Sequence, residues 1–322
     1  MRAVVRTEYG PPEVLRIADV EKPAPREGEV LVDVRAASVN PLDWHYMRGT
    51  PYLVRAVTGL RRPKSALFGV DVAGWVEAVG EGVTRFRPGD EVFGACDGAF
   101  AEFARASESA LASKPAHLAF EQAAAAPVAA LTALQALRDK GRVEPGQRVL
   151  VNGASGGVGT FAVQIARSFG AEVTGVCSTR NVEMVRSIGA DHVIDYTRED
   201  FTRAGRRYDV ILDLAGNHPP SACRRALTRR GTLVMVGGPD NGNWVGPLLG
   251  LLEPVVVSMF VSQKLAPFLA HRSQEDLTTI GELLGTGTVT PVIDRAYPLH
   301  EVPEAIRHLE RGHARGKVVI AG

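Results

Sequence analysis

One stretch, "VLVNGASGGVGTFAVQIARSFGAEVTGVCSTR" at residues 149–180, constrains the fold of this chain more than any other. An apolar run leads into three glycines, Gly153, Gly156 and Gly159, and then into a helical pattern and a second apolar run. Glycines between a strand and a helix let the backbone approach a pyrophosphate, and the helix N-terminus offers N–H groups to it. The stretch therefore predicts a dinucleotide site in a βαβ unit. A tight turn that binds no ligand is the alternative.

The end of the second predicted strand indicates which dinucleotide such a site would hold. Sites selective for NAD carry an acid about 20 residues beyond the glycines, where it accepts hydrogen bonds from the ribose. No acid lies between Glu172 and Glu183, and the strand instead ends in Ser178, Thr179 and Arg180. Hydroxyl groups and a guanidinium suit an anionic 2′-phosphate, so the sequence favours NADPH. The alternative is that Arg180 is a solvated charge at the start of the next helix.

The order of the predicted elements indicates how the chain is organised. Residues 1–122 are β-rich, with alternating segments such as "EVLVDVRAASV" between Gly and Pro turns. From Arg148 onward strands alternate with helices, which predicts a parallel, doubly wound sheet of the Rossmann type. The pattern changes again after residue 262. We predict an α/β protein in which a domain formed by residues 1–122 and 263–322 is interrupted by a nucleotide domain at residues 123–262.

Composition and charge argue against several other classes of protein. The formal net charge is +1 and the Lys and Arg residues are spread along the chain, so neither a nucleic acid nor an anionic membrane is predicted as a partner. Cys96, Cys177 and Cys223 lie far apart and form neither a disulfide framework nor a Cys-x-x-Cys pair. The start, "MRAVVRTEYG", has no long apolar core of the kind that a secretory signal carries. We therefore expect a cytoplasmic protein.

The apolar run "WVGPLLGLLEPVVVSMFV" at residues 244–261 is almost long enough to span a bilayer. It contains Glu253 and two prolines, Pro247 and Pro254, which favour a buried loop and strand over membrane insertion. An apolar entrance to a substrate site is the other possibility.

Five further segments, taken together, carry a family resemblance. They are "AASVNPLDW", "VDVAGWVEAVGEGVTRFRPGDEVFG", "NGASGGVGTFAVQIA", "IGADHVIDY" and "ERGHARGKVVI". In this order they resemble the zinc-independent quinone oxidoreductases of the medium-chain dehydrogenase/reductase superfamily, the group of zeta-crystallin and the reticulon-4-interacting protein. The resemblance covers nearly the whole chain. It implies a GroES-like β-barrel catalytic domain around a Rossmann domain, with the nicotinamide in the cleft between them.

The same resemblance implies a set of cofactor contacts. Residues of the glycine turn would meet the pyrophosphate, and those after the second and third strands would lie near the 2′-phosphate end. Residues 214–216 would lie at the carboxyl edge of the sheet, where ligands bind in such folds. Thr132 would touch the nicotinamide, Phe268 and Ala270 would wall the cleft, and residues 313–315 would close over the cofactor. In chain order they are Thr132, Ser155, Gly156, Gly157, Val158, Ser178, Arg180, Tyr196, Leu214, Ala215, Gly216, Phe268, Ala270, His313, Ala314 and Arg315. For Phe268, Ala270 and the last three, ordinary packing or a surface turn is an equal alternative.

The residue types at the family's metal positions predict that no metal is bound. Asn40 stands where the zinc enzymes carry their first cysteine, and Val70 and Asp71 fall within their Gly-His-Glu sequence. The four-cysteine structural lobe is absent. Zinc needs a tetrahedral set of imidazole, thiolate or carboxylate ligands, and His45 with Cys96 does not make one.

Without a metal to polarise a carbonyl, hydride transfer to an enone or a quinone is easier than transfer to a plain ketone, because charge spreads into an enolate or hydroquinone. Asn40 and Asp43 match family positions that line the cleft, Asn40 could donate a hydrogen bond, and His45 or Tyr46 could supply a proton. Alternatively, Asn40 belongs to a turn and Asp43 is a helix N-cap.

The leading hypothesis is therefore an NADPH-dependent oxidoreductase that reduces small-molecule quinones or α,β-unsaturated carbonyls. A zinc-free alcohol or ketone dehydrogenase is the second, and an NADPH-binding protein without turnover is the third. We also expect a homodimer, because the apolar run at residues 244–261 and the later "LAPFLA" lie where relatives extend the Rossmann sheet across a two-fold axis, and cyclic dimers are the commonest assemblies.

Overall fold

The structure is a computed structural model that describes residues 1–236, 262–312 and 314–321. The chain divides into two compact units, one formed by Met1–Leu131 with Arg272–Gly322 and the other by Thr132–His271. The apolar run at residues 244–261 and His313 lie outside the described residues.

Strands and helices are numbered in chain order over the described residues. The strands are β1 (Arg2–Val5), β2 (Arg16–Asp19), β3 (Glu29–Val39), β4 (Asp71–Val79), β5 (Glu91–Ala95), β6 (Phe103–Ser107), β7 (Leu111–Ser113), β8 (Arg148–Asn152), β9 (Glu172–Cys177), β10 (His192–Asp195), β11 (Tyr208–Asp213), β12 (Leu227–Met235), β13 (Lys264–Pro267), β14 (Ile293–Tyr297) and β15 (Lys317–Ala321). The helices are α1 (Pro41–Arg48), α2 (Val54–Thr58), α3 (Phe120–Ala124), α4 (Pro127–Gln135), which continues as a π-helical turn over Ala136–Gly141, α5 (Gly157–Ser168), α6 (Val182–Ser187), α7 (Pro220–Arg225), α8 (Gln274–Gly285) and α9 (Val302–Glu310). Short 3-10 turns cover Pro12–Val14, Glu108–Ala110, Thr179–Asn181 and Leu299–Glu301.

The first unit is built around the long strand β3. Its sheet has the order β14-β15-β3-β4-β5-β7, with β6 also paired to β3, and β1 and β2 form a separate ribbon. Strand β3 pairs antiparallel with β4, β6 and β15, and its register slips once at Leu31/Val32 and again at Val34/Ala36. These irregularities bend the sheet, as bulges do in barrels. A cluster of apolar side chains, among them Val32, Phe100 and Ile306, forms a core of this unit.

In its described part, the second unit contains a six-stranded sheet in the order β10-β9-β8-β11-β12-β13. Every pairing is parallel. Counted from its first strand this is the order 3-2-1-4-5-6, which defines the doubly wound dinucleotide fold. The strands are buried on both faces, with Leu150, Val176 and Ile211 in the core, because helices cover both sides of such sheets. The predicted doubly wound sheet is confirmed.

Within the described residues, no helix combines the length and the apolar character needed to cross a bilayer.

Candidate functional site

The glycine turn lies between the end of β8 and the start of α5. Gly153 has φ +93°, a conformation that favours glycine, and a Cβ on Gly159 would lie 2.1 Å from the carbonyl oxygen of Gly153. Gly156 is the N-cap of α5, and residues 155–158 are half-buried. The first N–H groups of a helix have no acceptor inside it, so this turn presents donors and a partial positive charge to an anion. The turn fits a pyrophosphate.

A side chain that the sequence argument missed, Asn181, connects this turn to the end of β9. Its Nδ2 donates to Ser155 Oγ at 3.0 Å and to Ser178 Oγ at 3.3 Å. Asn181 is buried, and its Oδ1 has no hydrogen-bond partner among the described residues. Asn181 therefore holds together the two serines that were predicted to meet the two phosphate ends of the cofactor. Asn181 lies just before a helix, where asparagine is a common N-cap, and this position was the sequence signal that could have identified it.

The end of β9 also receives an acid from the neighbouring strand. Ser178 is half-buried and Arg180 is exposed, but Thr179 Oγ1 donates to Asp195 Oδ2 at 2.5 Å, and Thr197 N donates to Asp195 Oδ1 at 3.0 Å. The hydrogen bond from Thr179 is the main cause that lowers the pKa of Asp195 below its ordinary value. This carboxylate comes from β10, so the sequence around the end of β9 gives no sign of it. Tyr196, which follows it, is 55% exposed.

The loop after β11 carries Leu214, Ala215 and Gly216 and is held by a buried carboxylate. Asp213 Oδ1 accepts the Gly216 N–H at 3.0 Å and a hydrogen bond from Asn152 Nδ2 at 2.8 Å. Burial raises the pKa of Asp213 above its ordinary value. The three predicted residues are thus fixed beside the end of β8, where the glycine turn begins.

The remaining predicted contacts of this unit lie on α4 and after β13. Thr132 is buried on α4, and Phe268, whose N–H donates to Met235 O at 2.9 Å, is half-buried, as is Ala270. Apart from Thr132, the predicted cofactor residues of this unit follow the carboxyl ends of parallel strands. The sheet therefore brings them to one edge, which is where such folds bind nucleotides.

The first unit contains a buried polar cluster formed by Ser38, Asn40, Asp43, Asp71 and Lys317. Strand register places Ser38 opposite Asp71 across β3 and β4, and β15 pairs with the same end of β3. Lys317 Nζ donates to Asn40 Oδ1 and lies 3.2 Å from Asp71 Oδ2, with side-chain exposures of 3% for Lys317 and 0% for Asp71. Asp71 Oδ2 also accepts from Ser38 Oγ at 2.8 Å and from Asn40 Nδ2 at 2.9 Å. Its Oδ1 accepts the Val128 N–H at the start of α4 at 3.0 Å.

Asn40 therefore uses most of its hydrogen-bonding capacity inside the protein. It is 2% exposed; its carbonyl oxygen accepts from Lys317, and its second amide hydrogen has only a long contact, 3.5 Å, to Ser38 O. A substrate oxygen could take a hydrogen bond from Asn40 only by replacing one of these contacts. The cluster fixes the orientation of the amide.

Asp43 ties the start of α1 to the same cluster. Its Oδ2 accepts the Asn40 N–H at 2.7 Å, as in a helix-capping interaction, while its Oδ1 has no hydrogen-bond partner in the described part of the chain. Burial of the carboxylate raises the pKa of Asp43 to about 7, and the positive charges of Lys317 and Arg6 oppose this rise. Arg6, itself buried, donates to the carbonyl oxygen of Tyr46 in the last turn of α1. Sequence reasoning missed Arg6 and Lys317, which are remote from Asn40 in the chain.

His45 and Tyr46 occupy the second half of α1. His45 Nδ1 lies 2.8 Å from Thr50 O, and the imidazole stacks on Trp44 at 3.7 Å between ring centroids. Since a carbonyl oxygen only accepts, Nδ1 carries the proton in this contact. Tyr46 is half-buried, and its burial raises the pKa of the phenol above its ordinary value. The phenol is protonated at neutral pH, and the raised pKa makes it a weaker acid than a free tyrosine.

The last predicted residues of this unit lie just before β15. Ala314 packs against the apolar core, and Arg315 is exposed.

Two family profiles match this chain. The profile of the alcohol dehydrogenase GroES-like domain matches residues 26–116, and that of the zinc-binding dehydrogenase matches residues 188–320. The mitochondrial NAD(P)H oxidoreductase RTN4IP1 of Mus musculus is 37% identical over 359 residues, covering 99% of this chain and 89% of that protein. The chloroplast envelope quinone oxidoreductase homolog of Arabidopsis thaliana is 34% identical and covers 99% and 98% of the two chains. The chain belongs to the quinone oxidoreductase family of the medium-chain dehydrogenases/reductases.

Solved structures agree with this membership. The quinone oxidoreductase from Coxiella burnetii superposes with a TM-score of 0.89 at 30% identity, covering 100% of this chain and 99% of that one. An NAD-dependent alcohol dehydrogenase gives 0.87 at 30% identity, with 100% coverage of both chains. The quinone oxidoreductase of Escherichia coli complexed with NADPH gives 0.85 at 26% identity, again with 100% of both chains covered. The predicted GroES-like and Rossmann folds are confirmed. The prediction that the protein is an oxidoreductase that uses a nicotinamide cofactor is confirmed as well.

The name of the second profile raises the question of zinc. In the part of the chain that the structure describes, no group of three or more His, Cys, Asp or Glu side chains is arranged to hold a metal ion. The two positions that resemble metal positions of the zinc enzymes, Asn40 and Asp71, both contact the ammonium of Lys317. A buried ammonium repels a divalent cation, and an amide is a poor zinc ligand, so these residues do not fit zinc.

Proposed function

We propose that this protein is an NADPH-dependent oxidoreductase that reduces quinones or α,β-unsaturated carbonyl compounds without zinc. The observation that carries the proposal is the buried cluster of Lys317, Asp71 and Asn40, in which an internal ammonium stands at the family's metal positions. With no Lewis acid there, an acceptor whose own conjugation spreads the developing charge is favoured over a plain ketone.

NADPH is the proposed cofactor and would supply the hydride. Arg180 and Ser178 follow β9 at the edge where the glycine turn presents its donors, and an Arg binds phosphate oxygens bidentately. Asp195, which reaches this strand end from β10, already accepts hydrogen bonds from Thr179 and Thr197. Its charge is thus largely satisfied within the protein. The Escherichia coli relative described as complexed with NADPH supports the same preference.

The remaining cofactor contacts stay predictions. They comprise the glycine turn and the loop after β11, with Tyr196 beside the 2′-phosphate and the residues at the nicotinamide side. In chain order these are Thr132, Ser155, Gly156, Gly157, Val158, Tyr196, Leu214, Ala215, Gly216, Phe268, Ala270, His313, Ala314 and Arg315.

Residues of α1 and its N-cap would then serve the substrate. Tyr46 is the proposed proton donor, because its half-buried phenol carries a proton at neutral pH and lies on the helix that Asn40 caps. Asn40 is proposed to give its weakly held amide hydrogen to the substrate oxygen. Asp43 would hold Asn40 in place by accepting a hydrogen bond from the backbone N–H of Asn40. His45 is the alternative proton donor.

A homodimer in the cytoplasm completes the proposal. Strand β13 is the last of the described sheet, and the adjoining "LAPFLA" exposes Leu269, which suits a sheet that continues into a second copy. Cys96, Cys177 and Cys223 are all free and buried, as expected in a reducing compartment. Light scattering over a wide concentration range tests the dimer, and fractionation of the source cells tests the location.

The activity is tested by NADPH oxidation against matched acceptors: an enone, its saturated ketone, a quinone and a simple aldehyde. We expect turnover with the enone and the quinone and little with the saturated ketone. Equal or faster rates on the saturated ketone would contradict the proposal.

The similarity to an NAD-dependent alcohol dehydrogenase favours a second candidate, a zinc-free alcohol or ketone dehydrogenase. The same panel separates the two. Tight NADPH binding without oxidation by any acceptor would instead indicate a non-catalytic nucleotide-binding protein.

A further inference from the structure

The segment around α2 differs in charge from the rest of the chain. No Asp or Glu lies between Asp43 and Asp71, whereas five basic residues do: Arg48, Arg55, Arg61, Arg62 and Lys64. Two of the five are used inside the protein, because Arg48 pairs with Glu310 and Arg55 donates to Gly49 O. The other three are exposed, and none of them forms an ion pair with another described residue. The near-neutral charge of the whole chain conceals this local cluster.

The same segment exposes an unusual amount of apolar surface. Leu53 is 47% exposed, Val57 71% and Leu60 75%. Leu53 and Val57 are four residues apart around α2 and so share one face of it, and Leu60 follows just beyond its end. Single exposed apolar residues are ordinary, but three within eight positions beside three exposed cations form a mixed apolar and basic surface.

The backbone beneath this surface is firmly held. Tyr9 Oη donates to Gly59 O at 2.6 Å, Thr58 Oγ1 donates to Val54 O at 3.0 Å, and Lys64 N donates to Thr58 O at 2.8 Å. The guanidinium of Arg55 packs over the ring of Tyr9 at 4.8 Å. The exposed side chains therefore lie on a turn that hydrogen bonds hold in place, and their exposure does not come from a frayed helix end.

We propose that residues 53–64 are a contact surface for anionic lipid bilayers. Apolar side chains that enter the headgroup region and flanking cations that meet lipid phosphates are the two signals that together give peripheral binding. A charged surface alone would suit any polyanion, and an apolar surface alone would suit another copy of the chain. Their combination on one turn matches a membrane, whose surface is acidic and whose interior is apolar. The contact is independent of the proposed reduction.

Sedimentation with vesicles tests the proposal. Wild-type protein should bind vesicles of phosphatidylglycerol and phosphatidylcholine at low salt, and the binding should weaken as the salt concentration rises. It should not bind vesicles of pure phosphatidylcholine. Replacing Arg61→Gln, Arg62→Gln and Lys64→Gln together should weaken binding about a hundredfold, since each basic residue near such a surface contributes roughly fivefold. The Leu53→Ser, Val57→Ser and Leu60→Ser variant should weaken it as well.

A matched control removes the same charge elsewhere in the same unit. The triple variant Arg87→Gln, Arg295→Gln and Arg311→Gln changes exposed cations outside the segment and should leave vesicle binding within a few-fold of wild type. Thermal melting should show that all the variants are folded. Fluorescence of a Val57→Trp variant should be quenched by brominated lipid if this turn enters the bilayer.

Three results would overturn the proposal. The first is wild-type protein that does not bind anionic vesicles at low salt, and the second is an equal loss in the control variant. The third is a larger mass in solution that the Leu53, Val57 and Leu60 variant loses while vesicle binding is unchanged, which would make the surface a contact between copies of the chain.

Discussion

Replacing Lys317 by methionine should destabilise the first unit strongly, because it leaves the carboxylate of Asp71 buried without its cation. Side-chain exposures of 3% and 0% put this pair among buried ion pairs, for which loss of one partner costs about 3–5 kcal/mol. Asp71 keeps three hydrogen-bond donors, from Ser38, Asn40 and the Val128 N–H. These still stabilise its charge, so we expect the low end of the range, about 3 kcal/mol.

Lys114 provides a matched control in the same unit. Its side chain is equally buried, at 2% exposure, but its partner Glu91 is 37% exposed and can return to water when the lysine is removed. Lys114→Met should therefore cost less, about 1 kcal/mol. Adding Asp71→Asn to Lys317→Met removes both charges and should restore part of the lost stability.

Denaturant unfolding followed by tryptophan fluorescence measures these differences. Trp44 and Trp75 both belong to the first unit, and a Trp244→Phe background removes the remaining tryptophan. The midpoint of the transition is compared at constant slope, since a change of slope would signal a change in the unfolded state. A loss below about 1 kcal/mol for Lys317→Met, or one no larger than that of Lys114→Met, would refute the view that this cation stabilises Asp71.

Three further predictions concern the cofactor, the pH dependence and the reaction. Arg180→Ala should weaken NADPH binding by about 1–3 kcal/mol and leave NADH binding nearly unchanged; equal losses in titration calorimetry would show that Arg180 does not contact the 2′-phosphate. Because the pKa of Asp43 is raised to about 7, the folded chain retains between about pH 4 and pH 7 a proton that the unfolded chain releases. Stability should therefore fall as pH rises through this window, by at most about 1.4 kcal/mol per pH unit, and Asp43→Asn should flatten the profile of unfolding midpoints. A variant profile parallel to wild type would contradict that assignment. Asn40→Ala should lower kcat on an enone by about 10²–10³ while NADPH affinity persists, and an unchanged kcat would exclude Asn40 as a donor in the transition state.

The nucleotide unit could be predicted from sequence because its signals are local. A strand, a glycine turn and a helix follow one another within residues 149–180, and the regular alternation that continues to β12 leaves few topologies open. Gly153 and Gly159 are required by the backbone itself, through a positive φ and a close approach, so their spacing carried structural information.

The partners inside the polar cluster could not be predicted in the same way. Lys317 is 277 positions from Asn40, and only the pairing of β15 with β3 brings them together. Asp195 likewise reaches Thr179 from the adjacent strand, 16 positions further along the chain. Local pattern identified Asn40 and Asp43 as polar residues at a helix start, whereas their burial and bonding depend on strand register.

Transfer of deuterium from NADPH labelled at C4 of the nicotinamide, on each face in turn, tests the central claim most directly. With an enone as acceptor, mass spectrometry and NMR of the product should locate the deuterium at the β-carbon for one of the two labelled cofactors, and a quinone should be reduced at a comparable rate. Deuterium found at the carbonyl carbon of an alcohol product, with quinones inert, would contradict the account and identify an alcohol dehydrogenase instead.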